Sequence, residues 1–151
     1  MKETASTILS SVIAGIVLLL FTEIINTTWV KPLNDYKELK GEIINKLTYY
    51  ANMYTNVYYD ENNKKMYDEY LSASDDIRRL ASKTRGLAES RYKFQPFVPK
   101  KNDLIDVSGY LIRISNSFIA PTSELKWQYI ENNNKDEKKI IDLLRVKPLK
   151  K

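Results

Sequence analysis

The chain has 151 residues, the size of one domain, with 24 Lys+Arg against 19 Asp+Glu and a net charge of +5. It contains no Cys and no His, which excludes disulfides, thiolate chemistry, imidazole acid–base catalysis and the common zinc sites. Composition therefore argues against an enzyme, gives no reason to expect a metal or cofactor, and leaves binding of anionic partners as the better use of the basic excess.

The first element is apolar. From Ile8 to Ile25 only two serines, one threonine and one glutamate interrupt apolar or small residues. A helix of about 20 residues crosses a hydrocarbon core of about 30 Å, so the length fits one transmembrane pass. Glu23 falls near one end, where it can snorkel to the headgroups. Trp29 stands where an aromatic belt residue is expected, and Pro32 is expected to interrupt the helix. A secretory signal peptide is the competing reading. The leading Met1 to Thr4 carries no positive excess, however, and no small-x-small cleavage site follows the apolar run, so an anchor is expected. Lys2 precedes the run while Lys31, Lys37, Lys40 and Lys46 follow it, which places the C-terminal part in the cytoplasm. The expected division is residues 1–30 as the transmembrane helix with its flanks and 31–151 as a cytoplasmic bundle.

Within the span, Thr7, Ser11 and Gly15 recur every four residues, beside a second ridge of Ser6, Ser10 and Ala14. Such small-residue ridges let helices approach closely in a bilayer. The stripe continues through Leu18 to Thr22, with Glu23 alongside. In a ring of copies it would line a pore with an apolar constriction. In a plain anchor the same hydroxyls would bond to the preceding turn.

After Val30 the apolar spacing is helical throughout, with no strand-like alternation. A first amphipathic helix is expected over Leu33 to Tyr59 and a second from Met66 to about Arg91. A ten-residue connection follows, in which Phe94, Phe97 and Val98 would plug the end of a bundle. Asn102 and Asp103 start a third helix carrying Leu104, Val107, Leu111, Ile114 and Phe118. Asn132, Asn133 and Asn134 are expected to separate a piece around Trp127 from a last short helix holding Ile140 and Leu144. The fold class is therefore all-α, an N-terminal transmembrane helix followed by an antiparallel cytoplasmic helical bundle.

Charge is unevenly placed. Between Arg78 and Lys101 stand eight basic residues and one acid, Glu89, a local charge of +7. Bases at a helix end complement its dipole, which explains the order of signs but not the extension into the loop. Arg78, Arg79, Lys83, Arg85 and Arg91 are accordingly candidates for an anion site, since arginine grips phosphate bidentately. Tyr50, Tyr54 and Tyr58 share a helix face, as packing material or as a stacking platform for bases. Asp75, Asp76, Asp103 and Asp106 suit solvated caps better than a metal site.

Three phrases, Leu47 to Asn56, Arg78 to Arg85, and Lys101 to Asp106 with Ile114 to Phe118, resemble a family of small bacterial proteins with one N-terminal membrane helix and a cytoplasmic helical domain. Some proteins of this build resemble the membrane effectors of phage-defence operons, the Hailong type among them. The resemblance implies a homo-oligomeric inner-membrane channel, gated by a nucleotide or oligonucleotide that a partner nucleotidyltransferase makes. The alternative is a membrane-tethered module that docks a partner protein.

Overall fold

The apolar run and the first amphipathic stretch form one uninterrupted helix, Ser6–Tyr49, of 44 residues, about 66 Å long at the ordinary helical rise. The computed structural model describes residues 2–56, 63–90, 97–119 and 125–146, the side chains of 2–5 excepted, and no strand occurs among them. Helix α1 (Lys2–Ile25) joins α2 (Lys31–Tyr49) through a single π-helical turn, Asn26–Val30. Pro32 does not break the helix, contrary to the expectation from sequence. In a regular α-helix its ring would press on the carbonyl of Thr28. The wider turn absorbs this: Lys31 N–H donates to Asn26 O, five residues back, and the proline falls in the first turn of α2.

None of the described apolar side chains of α1 is covered; Leu19 and Leu18 are 72% and 68% exposed. The helix is long and apolar enough to cross a membrane. Beyond the π turn the pattern becomes one-sided. Tyr36, Leu39, Ile43 and Leu47 of α2 are buried, at the three- and four-residue intervals of one helix face.

They pack with α3 (Ala51–Thr55), α4 (Lys64–Ser90), α5 (Lys101–Ser117) and α6 (Lys126–Leu143). Ile43, Ile77, Leu104, Val107, Leu111, Ile114 and Ile140 are wholly buried in this core, each contributing about 1.5–3 kcal/mol by leaving water. Tyr50, Tyr54 and Tyr70 set their rings edge-on around Phe118, with centroids 6.2–6.4 Å apart. Tyr50 and Tyr54 are thus packing residues; Tyr58 lies outside the described residues.

Three further expectations change. The helix expected over 33–59 is interrupted at Tyr50 (φ −93°, ψ 9°), although the Tyr50 N–H still donates to Lys46 O at 2.9 Å. Tyr50 turns its hydroxyl to Asp76 at 2.8 Å, and its ring faces Phe118. The asparagine cluster does not end a helix, because α6 runs straight through it. Asn133 points into the core, where its amide donates to Tyr54 O at 2.8 Å and Ser117 Oγ at 2.7 Å. Tertiary partners satisfy the side chain that would otherwise compete for local backbone. Of the expected plug, Val98 is buried while Phe97 is 68% exposed; Phe94 lies outside the described residues. Helices α4 and α5 are tied by hydroxyls, Ser74 Oγ donating to Ser115 O at 3.0 Å and Ser108 Oγ to Ala81 O at 2.9 Å.

Among the described residues the core holds one polar defect. The Tyr54 hydroxyl is fully buried with no hydrogen bond of good geometry, and burial first, then the charge and proximity of the Glu137 carboxylate, push its pKa far up. Two substitutions should therefore move stability in opposite directions. In urea unfolding, Asn133→Ala is expected to cost about 1–3 kcal/mol by stranding Tyr54 O and Ser117 Oγ. Tyr54→Phe should be neutral or stabilising by up to about 1 kcal/mol, since it removes an unsatisfied polar atom; a loss above that range would reveal a partner for the hydroxyl.

Candidate functional site

Helix periodicity divides the basic residues of α4. Arg78 and Arg85, seven apart, share one side; Arg79 and Lys83, four apart, share another about 120° around the axis. Each pair meets a different neighbour. On the α2 side, Arg79 Nη2 lies 3.3 Å from Asp76 Oδ1, and Lys83 Nζ lies 2.7 Å from Glu42 Oε2. On the α5 side, Arg85 Nε lies 3.1 Å from Glu89 Oε1, and Lys101 donates to the same carboxylate. Arg91 lies outside the described residues. The four described candidates therefore do not converge on one pocket.

Arg78 differs from the other three. Its Nη2 donates to Asn116 Oδ1 at 2.9 Å and its Nε to Ser115 Oγ at 3.3 Å. Both acceptors are neutral, so the guanidinium keeps its full charge at an exposed position of the α4–α5 seam. Ser115 is held in turn by Ile112 O at 2.9 Å. Among the described residues no carboxylate pairs with Arg78, so a phosphate arriving there meets no such competitor, whereas at Arg79, Lys83 or Arg85 it must displace one.

Asp76 is the electrostatic hub of the α2 side. It accepts from Lys46 and Tyr50 and pairs with Arg79. The Lys46 ammonium, more than any other neighbour, holds the carboxyl below its usual range. The same hydrogen bond raises the pKa of Lys46, while burial is the main cause of the raised Tyr50 value. Asp103 accepts the Lys100 N–H at 3.2 Å, so that carboxylate caps α5. No cluster of metal-ligating side chains occurs among the described residues.

In α1 the hydroxyls of the small-residue stripe turn inward on their own helix. Ser11 Oγ donates to Thr7 O at 2.9 Å and Thr22 Oγ1 to Leu18 O at 2.8 Å; Ser10 also bonds Thr7 O at 2.9 Å. Gly15 faces open space, with nothing within 4 Å of an added Cβ. Glu23 lies off the stripe, about 80° around the helix from Gly15.

No family model, curated protein or solved structure matches the chain. What the site can do rests on its own geometry, and one part of that geometry had no local sequence signal. Arg113 grips Asp136 with two parallel hydrogen bonds, 2.8 Å from Nε and 2.7 Å from Nη2, and lies 4.6 Å over the Tyr110 ring. Lys139 approaches the same ring at 5.2 Å. The Asp136 side chain is only 6% exposed, so this bidentate pair locks α6 to α5. The partners are 23 residues apart, and nothing in the spacing of either helix announces them.

The depressed Asp76 carboxyl sets a pH dependence. A carboxylate with a lowered folded-state pKa stabilises the fold above its ordinary value of 3.8, and that stability disappears as pH falls through the lower folded value. Chemical unfolding followed from pH 6 downward should show stability declining below about pH 4. Asp76→Asn should cost about 1 kcal/mol at neutral pH and flatten that acid limb; an unchanged limb would place the acid sensitivity on another carboxylate.

Proposed function

We propose that the protein is a homo-oligomeric, single-pass effector of a bacterial inner membrane, in which a cytoplasmic bundle receives an anionic ligand and acts on the packing of the apolar helices. The observation that carries this reading is the unbroken helix Ser6–Tyr49. A rigid rod joins the core-forming face of α2 to α1 with no flexible linker between them. Any tilt or rotation of α2 in response to a ligand is therefore delivered to α1. The bundle is read as antiparallel, because the Ser74 to Ser115 and Ser108 to Ala81 bonds advance in opposite chain directions. The cytoplasmic side follows from the lysines after the span.

Within this reading Arg78 is the primary anion anchor, its charge being matched only by neutral partners. Arg79, Lys83 and Arg85 respond secondarily, as an anion competes for them with Asp76, Glu42 and Glu89. The ligand class is a nucleotide or oligonucleotide, the output is a change in conductance, and the setting is anti-phage defence beside a nucleotidyltransferase. A second reading, a tether that docks a partner protein, is favoured by one observation. The hydroxyls of α1 are satisfied within their own helix, as a lipid-facing anchor requires.

Two measurements separate these readings. Purified protein in planar bilayers should conduct in response to ATP or a short single-stranded oligonucleotide, and Arg78→Glu should abolish the response while leaving insertion intact. Silence under all conditions would remove the channel. Independently, replacing Val30 and Lys31 by two glycines should uncouple bundle from span. Ligand binding is then expected to persist and the conductance change to vanish, whereas a tether would be indifferent to that substitution.

A further inference from the structure

The side of α2 turned away from the core is bare. Asn34, Gly41, Asn45 and Thr48 lie along it, all exposed. A Cβ on Gly41 would meet nothing within 4 Å, so no internal contact requires a glycine there. The two flanks of this bare face carry opposite charge. On one, a groove of about 310 Å³ opens between α2 and α4, lined by Asp35, Glu38, Glu42 and Lys83 beside the apolar side chains of Leu39 and Leu87. Glu42 is paired with Lys83; Asp35 and Glu38 have no ion-pair partner among the described residues. The opposite flank, about 160° around the helix, carries Lys37 and Lys40. Lys40 Nζ donates to the backbone carbonyl of Arg145 at 2.9 Å, which brings the chain at Arg145, an exposed residue, to that flank.

Arg145 breaks a backbone rule. Its φ of 51° is the left-handed conformation that ends helices and that glycine usually fills. Arg145 N–H donates to Asp142 O and Val146 N–H to Ile141 O, both at 3.0 Å, the hydrogen bonds of a helix C-terminus. An arginine kept where glycine fits better points to a use for its side chain.

We propose that α2 forms the cytoplasmic half of a self-association surface, in which the acidic groove of one copy receives the Lys37, Lys40 and Arg145 flank of the next. The proposal rests on the reading of α1 as a membrane span. Copies inserted in one orientation hold residues 35–42 and 37–40 at the same height, within about 8 Å along the axis. A groove that needs a basic occupant therefore faces one without any sliding of the chains. The contact is heterologous, with different patches on the two copies, so it propagates into a ring when its rotation closes. The bare face of α2, lying between the two flanks, then turns toward the axis on which the α1 helices gather. The groove is accordingly a site for a second copy of this chain.

The absence of native cysteine makes the test direct. Full-length protein carrying both Glu38→Cys and Lys40→Cys, treated in membranes with a short bismaleimide, should give a ladder of linked oligomers. Neither single variant should link, because a heterologous contact sets Glu38 beside Lys40 and not beside its own copy. Adding Asp35→Lys and Glu42→Lys to the double variant should cut the ladder about tenfold, as expected when like charges meet. Efficient linking by either single variant, or no ladder from an inserted double variant, overturns the proposal. Carbonate extraction of the same membranes reports on insertion separately: an extractable chain overturns the membrane reading and this surface with it, while an inserted chain without a ladder overturns the surface alone.

Discussion

The π turn at Asn26–Val30 is the constraint from which the architecture follows. A proline at position 32 removes a backbone donor and crowds the carbonyl four residues earlier, and either effect alone would bend a regular helix. One bond from Lys31 to Asn26, five residues back, relieves the crowding without ending the helix. The extra residue in that turn also rotates all that follows by about 100° relative to an uninterrupted α-helix. The direction in which Tyr36, Leu39, Ile43 and Leu47 face is thereby set against α1. The bundle has no freedom to choose its azimuth about the apolar helix, because α2 is at once part of the rod and a wall of the core.

The polar contacts in the bundle follow a consistent division. Hydroxyl and amide groups inside it, on Ser74, Ser108, Ser117 and Asn133, bond backbone atoms or each other and fix which helices adjoin. Charged groups sit at the seams and pair across them: Lys46 with Asp76, Lys83 with Glu42, Arg113 with Asp136. Of the eight bases between Arg78 and Lys101, Arg79, Lys83, Arg85 and Lys101 each face a carboxylate, so an anion meets fewer open charges there than the composition suggests. Exposed pairs of this kind contribute little to stability. They do control which positions an incoming anion meets as open charge, and Arg78 is distinguished on that ground.

The all-helical class, the apolar span and the extents of α4 and α5 were legible in the sequence because each rests on a sustained periodic pattern. Ile77, Leu80 and Thr84 or Leu104, Val107, Leu111 and Ile114 repeat often enough that local noise does not obscure the face. The misreadings at Asn133 and Tyr50 arose where a single residue was read locally and its partner stood far away, whereas that at Pro32 was local. Pro32 looked like a terminator, yet the turn before it widened. Asn133 looked like a loop residue, yet Tyr54 O and Ser117 Oγ gave its amide an interior place. Tyr50 looked like a mid-helix residue, yet the helix is interrupted there, where its side chain meets Asp76 and Phe118. For the basic site, sequence located the charges but not the acids opposite them. Glu42 stands 41 residues from Lys83, a separation that no spacing argument reaches.

Tyr36 donates to Leu144 O at 2.6 Å across 108 residues of sequence, which fixes an order of events during synthesis. The α1 segment emerges first, and the Tyr36 hydroxyl of α2 waits for Leu144 until more than 100 further residues have been made. At about 5–20 residues per second the interval is about 5–20 s. Helix α4, the main neighbour of α2, is complete about 40 residues after α2 ends and covers its apolar face well before α6 is made. The Tyr36 bond to Leu144 O is therefore made late, onto a wall that α2 and α4 have already formed.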